Sequence, residues 1–287
     1  VSLKLTGAGG GAGGGVPDTP TNYTVVPLHT KDIVGSTFEA IHSWDYTTDP
    51  DSFTIYANTV DNFATASEFA AGIAGDVRTR DYGRTSGIGG DGAECYFWIV
   101  AVVGGVESLP AGSVHILAAL VIDTFEAGSS TTIDVLCPDP GSATFVWQKS
   151  TNGADWDTTN CPTSFSGSIS GLDPNTAYFG EVGYTQAGLN SWFSVPASAT
   201  TYEVLDPGEI HLDNKTDTTA EFSFTISPSG GSGLYAYQWY RNNTLLVDET
   251  ADTLNDTGLD PNTEYEWYCD VTSGGQTSPT NTITDTT

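Results

Sequence analysis

An eight-residue phrase occurs twice in this chain, as GLDPNTAY from Gly171 to Tyr178 and as GLDPNTEY from Gly258 to Tyr265. Seven of the eight residues agree, and the copies lie 87 residues apart. That spacing exceeds the roughly 20–50 residues of a solenoid unit and suits one small β-sandwich. Each position has a mechanical reading. Leu172 and Leu259 are the last inward apolar residues of a strand. Pro174 and Pro261 set φ for a turn, and the Asn after each tolerates unusual dihedrals. Tyr178 and Tyr265 then start the next strand, with the ring at the core edge and the hydroxyl turned back to the corner's backbone. This is the tyrosine-corner device of Greek-key sandwiches, so the repetition counts domains.

The 287 residues suit two or three domains. Short strand patterns separated by turn residues fill the chain. In STFEAIHSWDY, Phe38, Ala40 and Trp44 share a face with a break near His42; in DSFTIYANT, Phe53 and Ile55 share one and Tyr56 takes the other. ECYFWIVAVVGGVESLP reads as a long strand, a Gly-Gly turn and a closing strand. TTIDVLC and ATFVWQKS repeat the plan, as do TTAEFSFTI and LYAYQWYRNNTLLV. The expected fold is all-β: three tandem Greek-key sandwiches over 16–114, 115–201 and 202–287, after a Gly-rich arm over 1–15. The apolar junction SVHILAALVIDTF has no Gly/Pro linker and predicts a semi-rigid joint. TTYEVLDPGEIHL is more polar and predicts one that bends.

In the arm, Val1, Leu3 and Leu5 alternate with polar residues ahead of GAGGGAGGG. A short strand on a flexible leash reads as a docking arm that needs a sheet edge from another subunit. The competing reading is a terminus without fixed structure.

The corner phrase resembles the Leu-x-Pro-x-Thr-x-Tyr corner of the fibronectin type III family. The chain has Leu172-Asp-Pro-Asn-Thr-Ala-Tyr178, Leu259-Asp-Pro-Asn-Thr-Glu-Tyr265, and Ser278-Pro279 after the second copy. The first segment has only a degenerate counterpart, GIGGDGAECY, but carries Trp44 where the resemblance places the core Trp, and ESLP before its last strand. Trp147 and Trp239 fall in third-strand stretches, as in immunoglobulin-like domains, so the later two segments resemble hybrids.

Composition restricts function. Lys and Arg number 8 against 36 Asp and Glu, a formal net charge of −28. Phosphate binding needs a basic patch, so nucleic acid and anionic membranes are poor partners. The longest apolar run, Ile116 to Ile122, is too short to span a bilayer, so membrane insertion is not expected. The start shows no signal-peptide pattern, and Val1 fits either a removed initiator Met or a processed leader. The acidic pairs Asp49/Asp51, Asp155/Asp157 and Glu264/Glu266 lie in turns or exposed strands without His or Lys neighbours in sequence, and read as surface charge. No catalytic residue, cofactor or metal site is expected, since neither a nucleophile elbow, a phosphate loop nor zinc-ligand spacing occurs. Cys137 and Cys161 share a segment, where a disulfide and two thiols are both open; Cys95 and Cys269 lie in sixth strands and read as buried thiols. Asn22, Asn214, Asn242 and Asn255 satisfy the N-x-Ser/Thr pattern, which chance explains in so Thr-rich a chain. Trp156, Trp192 and Tyr240 read either as a carbohydrate-stacking patch or as core and interdomain packing.

The expected function is a non-enzymatic structural protein of an assembly. A phage virion decoration, fibre or tail protein fits, multimeric in its particle and docked to other virion subunits by the arm. The alternative is a bacterial cell-surface or secreted adhesion or carbohydrate-binding module, extracellular, with a host-surface glycan as its partner.

Overall fold

A computed structural model of the chain describes residues 16–28, 38–84 and 93–287. The arm with Val1, Leu3 and Leu5, and the GIGGDG part of the degenerate corner, lie outside these residues. The described residues form strands and turns, with one short 3-10 turn at Phe63–Thr65. Among them no helix is long and apolar enough to cross a membrane.

The first eight strands are β1 (Thr21–Pro27), β2 (Phe38–Asp45), β3 (Ser52–Asn58), β4 (Ser67–Ala74), β5 (Thr79–Arg84), β6 (Cys95–Val103), β7 (Val106–Glu107) and β8 (Ala111–Ile116). They form one sheet of order β1-β2-β5 and a second of order β4-β3-β6-β7, with β8 also paired to β6. The fourth strand thus pairs with the third. In a constant-type immunoglobulin domain it would return to the first sheet instead. Strand periodicity explains the core: Phe53, Ile55 and Ala57 of β3 and Phe97, Ile99 and Ala101 of β6 all point inward. On β2 the inward row is Ala40, His42 and Trp44. The break expected at His42 is absent, because the imidazole itself fills the core position.

The next strands are β9 (Thr124–Ala127), β10 (Ile133–Leu136), β11 (Ala143–Ser150), β12 (Ser166–Ile169), β13 (Ala177–Gln186), β14 (Leu189–Asn190) and β15 (Ala197–Thr200). They form a sheet of order β12-β10-β9 and another of order β11-β13-β14, with β15 on β13. The last ten are β16 (Glu203–Asp206), β17 (Glu209–Lys215), β18 (Thr219–Ile226), β19 (Ser229–Gly231), β20 (Ala236–Arg241), β21 (Thr244–Leu245), β22 (Leu254–Thr257), β23 (Glu264–Ser273), β24 (Gln276–Pro279) and β25 (Ile283–Thr286). Here β17-β18-β22 oppose β21-β20-β23-β24, with β25 also on β23 and a small β16-β19 ladder alongside. Their core holds Trp239, Trp267, Phe222 and Leu259. Burying side chains of this size contributes about 1.5–3 kcal/mol each.

The architecture is therefore all-β, built of several sandwich sheets. The chain divides into two compact units. One takes the described residues up to Thr124 together with Leu136–Gly167 and Phe179–Ala197; the other takes Phe125–Val135, Ser168–Tyr178 and Ser198–Thr287. The boundary drawn at 114/115 falls inside β8, whose pairing with β6 runs on to Ile116. The one at 201/202 falls between β15 and β16.

Candidate functional site

The two corners have the same geometry. Gly171 and Gly258 adopt φ of 68° and 73°, and Asn175 and Asn262 adopt 48° and 55°, the left-handed region that Gly and Asn tolerate. The Leu172 amide donates to Thr131 O and the Leu259 amide to Thr218 O, each at 3.1 Å. Tyr178 Oη accepts the Asp173 N–H, and Tyr265 Oη the Asp260 N–H, each at 3.0 Å. A threonine that sequence reasoning missed closes each corner. Thr201 Oγ1 donates to Asp173 O, and Thr287 Oγ1 to Asp260 O, each at 2.6 Å. The signal was available, since both threonines follow their corner tyrosine at nearly equal distance. A second missed device recurs along the whole chain. The hydroxyls of Ser108, Ser194 and Thr280 accept the amides of Ala101, Val182 and Cys269 at 3.0, 3.0 and 3.1 Å, where the final strand is interrupted.

The candidate acid pairs are used locally. Asp49 pairs with Arg78 at 2.5 Å, and Asp51 accepts the Gly104 amide at 2.6 Å. Asp155 accepts from Asn152 at 2.8 Å. Asp157 accepts from Lys149 at 2.9 Å, and that bond, with further ones from Thr159, holds its carboxyl well below the usual range. Glu264 and Glu266 are exposed. Among the described residues no group of three or more His, Cys, Asp or Glu is placed to hold a metal ion.

Cys137 and Cys161 are not bonded to each other. Their sulfurs face different carbonyls: Cys137 Sγ lies 3.5 Å from Phe165 O and Cys161 Sγ 3.7 Å from Asp157 O. Burial pushes both thiols up to about 11 and that of Cys269 up to about 12, which keeps them protonated and unreactive near neutrality. Cys95 is buried as well.

Trp192 does not belong to a surface patch. It is 1% exposed, donates from Nε1 to Ala93 O at 3.1 Å, and packs edge-on against Phe97 in the core of the first eight strands. Backbone bonds from Leu117 N to Asn190 O (2.9 Å) and from Trp192 N to Leu117 O (3.0 Å) fix the approach. The second junction, expected to bend, is tied as well. Tyr202 N donates to Ser129 O and Asn175 N to Tyr202 O, both at 3.1 Å. Gln276 bonds Leu205 N at 3.0 Å and Glu203 O at 2.9 Å. A Cβ on Gly274 would stand 2.5 Å from the Tyr202 ring, so only glycine lets the ring lie there.

Trp156 is half-buried, while Tyr240 stacks on Tyr268, 4.8 Å apart with planes within 5°. A larger aromatic group, not singled out from sequence, lies on the outer face of β3, β6 and β8: Tyr56, Tyr96, Trp98 and His115, with Phe63 from the 3-10 turn. Its signal was the outward parity of Tyr56, which Tyr96 and Trp98 share in register.

No protein-family model matches the chain, and no curated protein matches it. Among solved structures it is similar to the chicken CNTN1 FN1-FN3 domains at 14% identity and a TM-score of 0.38, covering 93% of this chain and 99% of that one. It is also similar to a two fibronectin type III domain segment from chicken tenascin, at 16% identity and a TM-score of 0.27, covering 58% of this chain and 97% of that one.

Proposed function

We propose that the chain is a non-catalytic structural protein of an assembly, in which 16–114, 115–201 and 202–287 act as acidic sandwich domains projected from a docked arm at 1–15. The particle that fits this reading is a phage virion, with the chain as a decoration, fibre or tail protein. The observation that carries it is the pair of tied junctions: Trp192 with Leu117 at one, Tyr202 with Ser129 at the other. Joints made from buried rings and backbone hydrogen bonds suit a structural role. The high negative charge adds solubility and resists self-association. Deleting residues 1–15 tests the docking role. Incorporation into purified particles is expected to fall below detection while the β-sheet circular dichroism is kept. Normal incorporation of the truncated chain refutes docking by the arm, and specific retention on a glycan array would move the chain to the adhesion class.

A further inference from the structure

On the outer face of the second sheet of the first sandwich, aromatic rings form a row that the core does not use. Tyr56 on β3 lies in register with Glu68 on β4 and Trp98 on β6, and Tyr96 with His115 on β8. The Tyr96 and His115 rings stack 4.3 Å apart with planes within 10°, and Trp98 follows at 6.4 Å and 24°. Phe63 sets its ring across Tyr56 at 5.2 Å and across Trp98 at 5.9 Å.

Carboxylates surround this row. Tyr56 Oη donates to Glu107 Oε1 at 2.5 Å, and Glu94 Oε1 lies 2.6 Å from His115 Nε2. Glu68, Glu94 and Glu107 are all exposed, while Tyr56, Phe63, Tyr96 and His115 are half-buried and Trp98 is buried. Cross-strand ring pairs stabilise a sheet by themselves. They do not by themselves account for the acidic border, in which Tyr56 and His115 hold Glu107 and Glu94 by one bond each while all three carboxylates stay exposed. Internal neutralisation is scarce: 36 acidic residues face 8 basic ones, and Arg78, Lys149, Lys215 and Arg241 are engaged by Asp49, Asp157, Asp285 and Asp256.

An apolar aromatic centre inside a charged border is the anatomy of a protein–protein interface. The rings stand stacked, so their faces are taken up by each other. A pyranose ring would need an open face to lie on. The chain's overall charge repels acidic partners and attracts basic ones, over a range set by ionic strength. We propose that this face docks a basic protein surface, one that presents arginine or lysine side chains to Glu68, Glu94 and Glu107 around the half-buried rings of Tyr56, Phe63 and Tyr96. The proposal rests on the assembly reading for the existence of a partner, but its test runs in solution and does not depend on a particle or on the arm.

The test is titration calorimetry of the full chain at physiological ionic strength with a peptide of alternating arginine and glycine, its citrulline counterpart, and cellohexaose. The arginine peptide is expected to bind, and the other two are not. Binding is expected to weaken at least tenfold in the Glu68→Gln/Glu94→Gln/Glu107→Gln variant and several-fold in Phe63→Ala. It should stay within twofold in Glu209→Gln/Asp217→Asn/Asp252→Asn, which removes the same charge from exposed positions on the last sandwich. The carboxylates lie at the surface and Phe63 is half-buried, and an unchanged thermal midpoint shows that each variant is folded. Equal weakening in the two triple variants would reduce the effect to diffuse charge and overturn the proposal. So would binding of the citrulline peptide, no binding at all, or cellohexaose binding that Phe63→Ala abolishes.

Discussion

The first sandwich and the last are built on the same strand order, yet they complete their cores in opposite ways. The last fills its interior from its own strands: Trp239 donates to Ala251 O at 2.9 Å, and Trp267 donates to Asp256 at 2.7 Å. Asp256 also accepts from Arg241 Nη1 with both of its oxygens, at 3.0 and 3.1 Å. The first borrows Trp192 from beyond its eighth strand and places His42 in the inward row of its second strand, where the matching strand of the last carries Phe222. Its own Trp44 has no acceptor for Nε1 among the described residues. Self-sufficiency in one and dependence in the other mean that similar mutations should have different reach.

The largest expected effect is Trp192→Ala. It removes a fully buried indole and its hydrogen bond, at a cost of about 3–5 kcal/mol. The loss should fall on the first sandwich. Hydrogen exchange followed by mass spectrometry is expected to speed up in β6 and β8 and stay unchanged in β20 and β23. Uniform acceleration, or none, would show that the first core does not depend on this ring. Next is Asp256→Ala in the last sandwich, which strips the buried Trp267 N–H of its acceptor and costs about 2–3 kcal/mol in urea unfolding. Arg241 is partly exposed and stays hydrated, so its loss of partner adds little. Here exchange should quicken in β20 and β23 and leave β6 alone.

Third is a pH response confined to the first sandwich. His42 is fully buried, its Nδ1 lies 2.7 Å from Tyr23 Oη, and desolvation lowers its pKa from the ordinary 6.5 to about 3. The unfolded chain therefore binds a proton between pH 6.5 and 3 that the folded chain does not. Stability attributable to this site is complete above 6.5 and declines as pH falls, reaching a loss of about 2 kcal/mol at pH 5. The readout is the difference in unfolding free energy between pH 7 and pH 5 in the parent and in His42→Leu, which cancels the carboxylates common to both. A parent and variant that lose the same amount would mean that His42 is charged in the folded state. The last sandwich has His211 at its surface beside Asp213 instead, at 2.6 Å.

Alternation and turn chemistry were enough to place most strands and both corners, because those depend on a few residues at short range. Leu172 and Tyr178 could be assigned from their phrase alone. What sequence could not supply were pairings between distant residues. SWFS leaves Trp192 open between a surface patch and packing, and only the approach of Ala93 and Phe97, nearly a hundred residues earlier, decides for burial. His42 interrupts an apolar row on paper and fills it in space, since Tyr23, Phe69 and Phe97 close around the ring. The outer aromatic row needed strand register: Tyr56 and Trp98 are neighbours only once β3 and β6 are aligned.

The smallest expected effect concerns the corner that the last sandwich has and the first writes only in degenerate form. Tyr265→Phe removes one acceptor, leaving the Asp260 N–H near the surface, where water can replace the hydroxyl. A loss of under about 1 kcal/mol is expected. Tyr178→Phe deletes the same 3.0 Å bond from a tyrosine that is buried, so the Asp173 N–H is harder for water to reach and the cost should approach about 1 kcal/mol. Urea midpoints of the two variants, measured side by side, decide whether burial sets the value of the corner. If Tyr265→Phe proves the costlier, the hydroxyl matters for holding the turn in register with Thr287, which bonds Asp260 O from the other side at 2.6 Å, and solvent access is secondary.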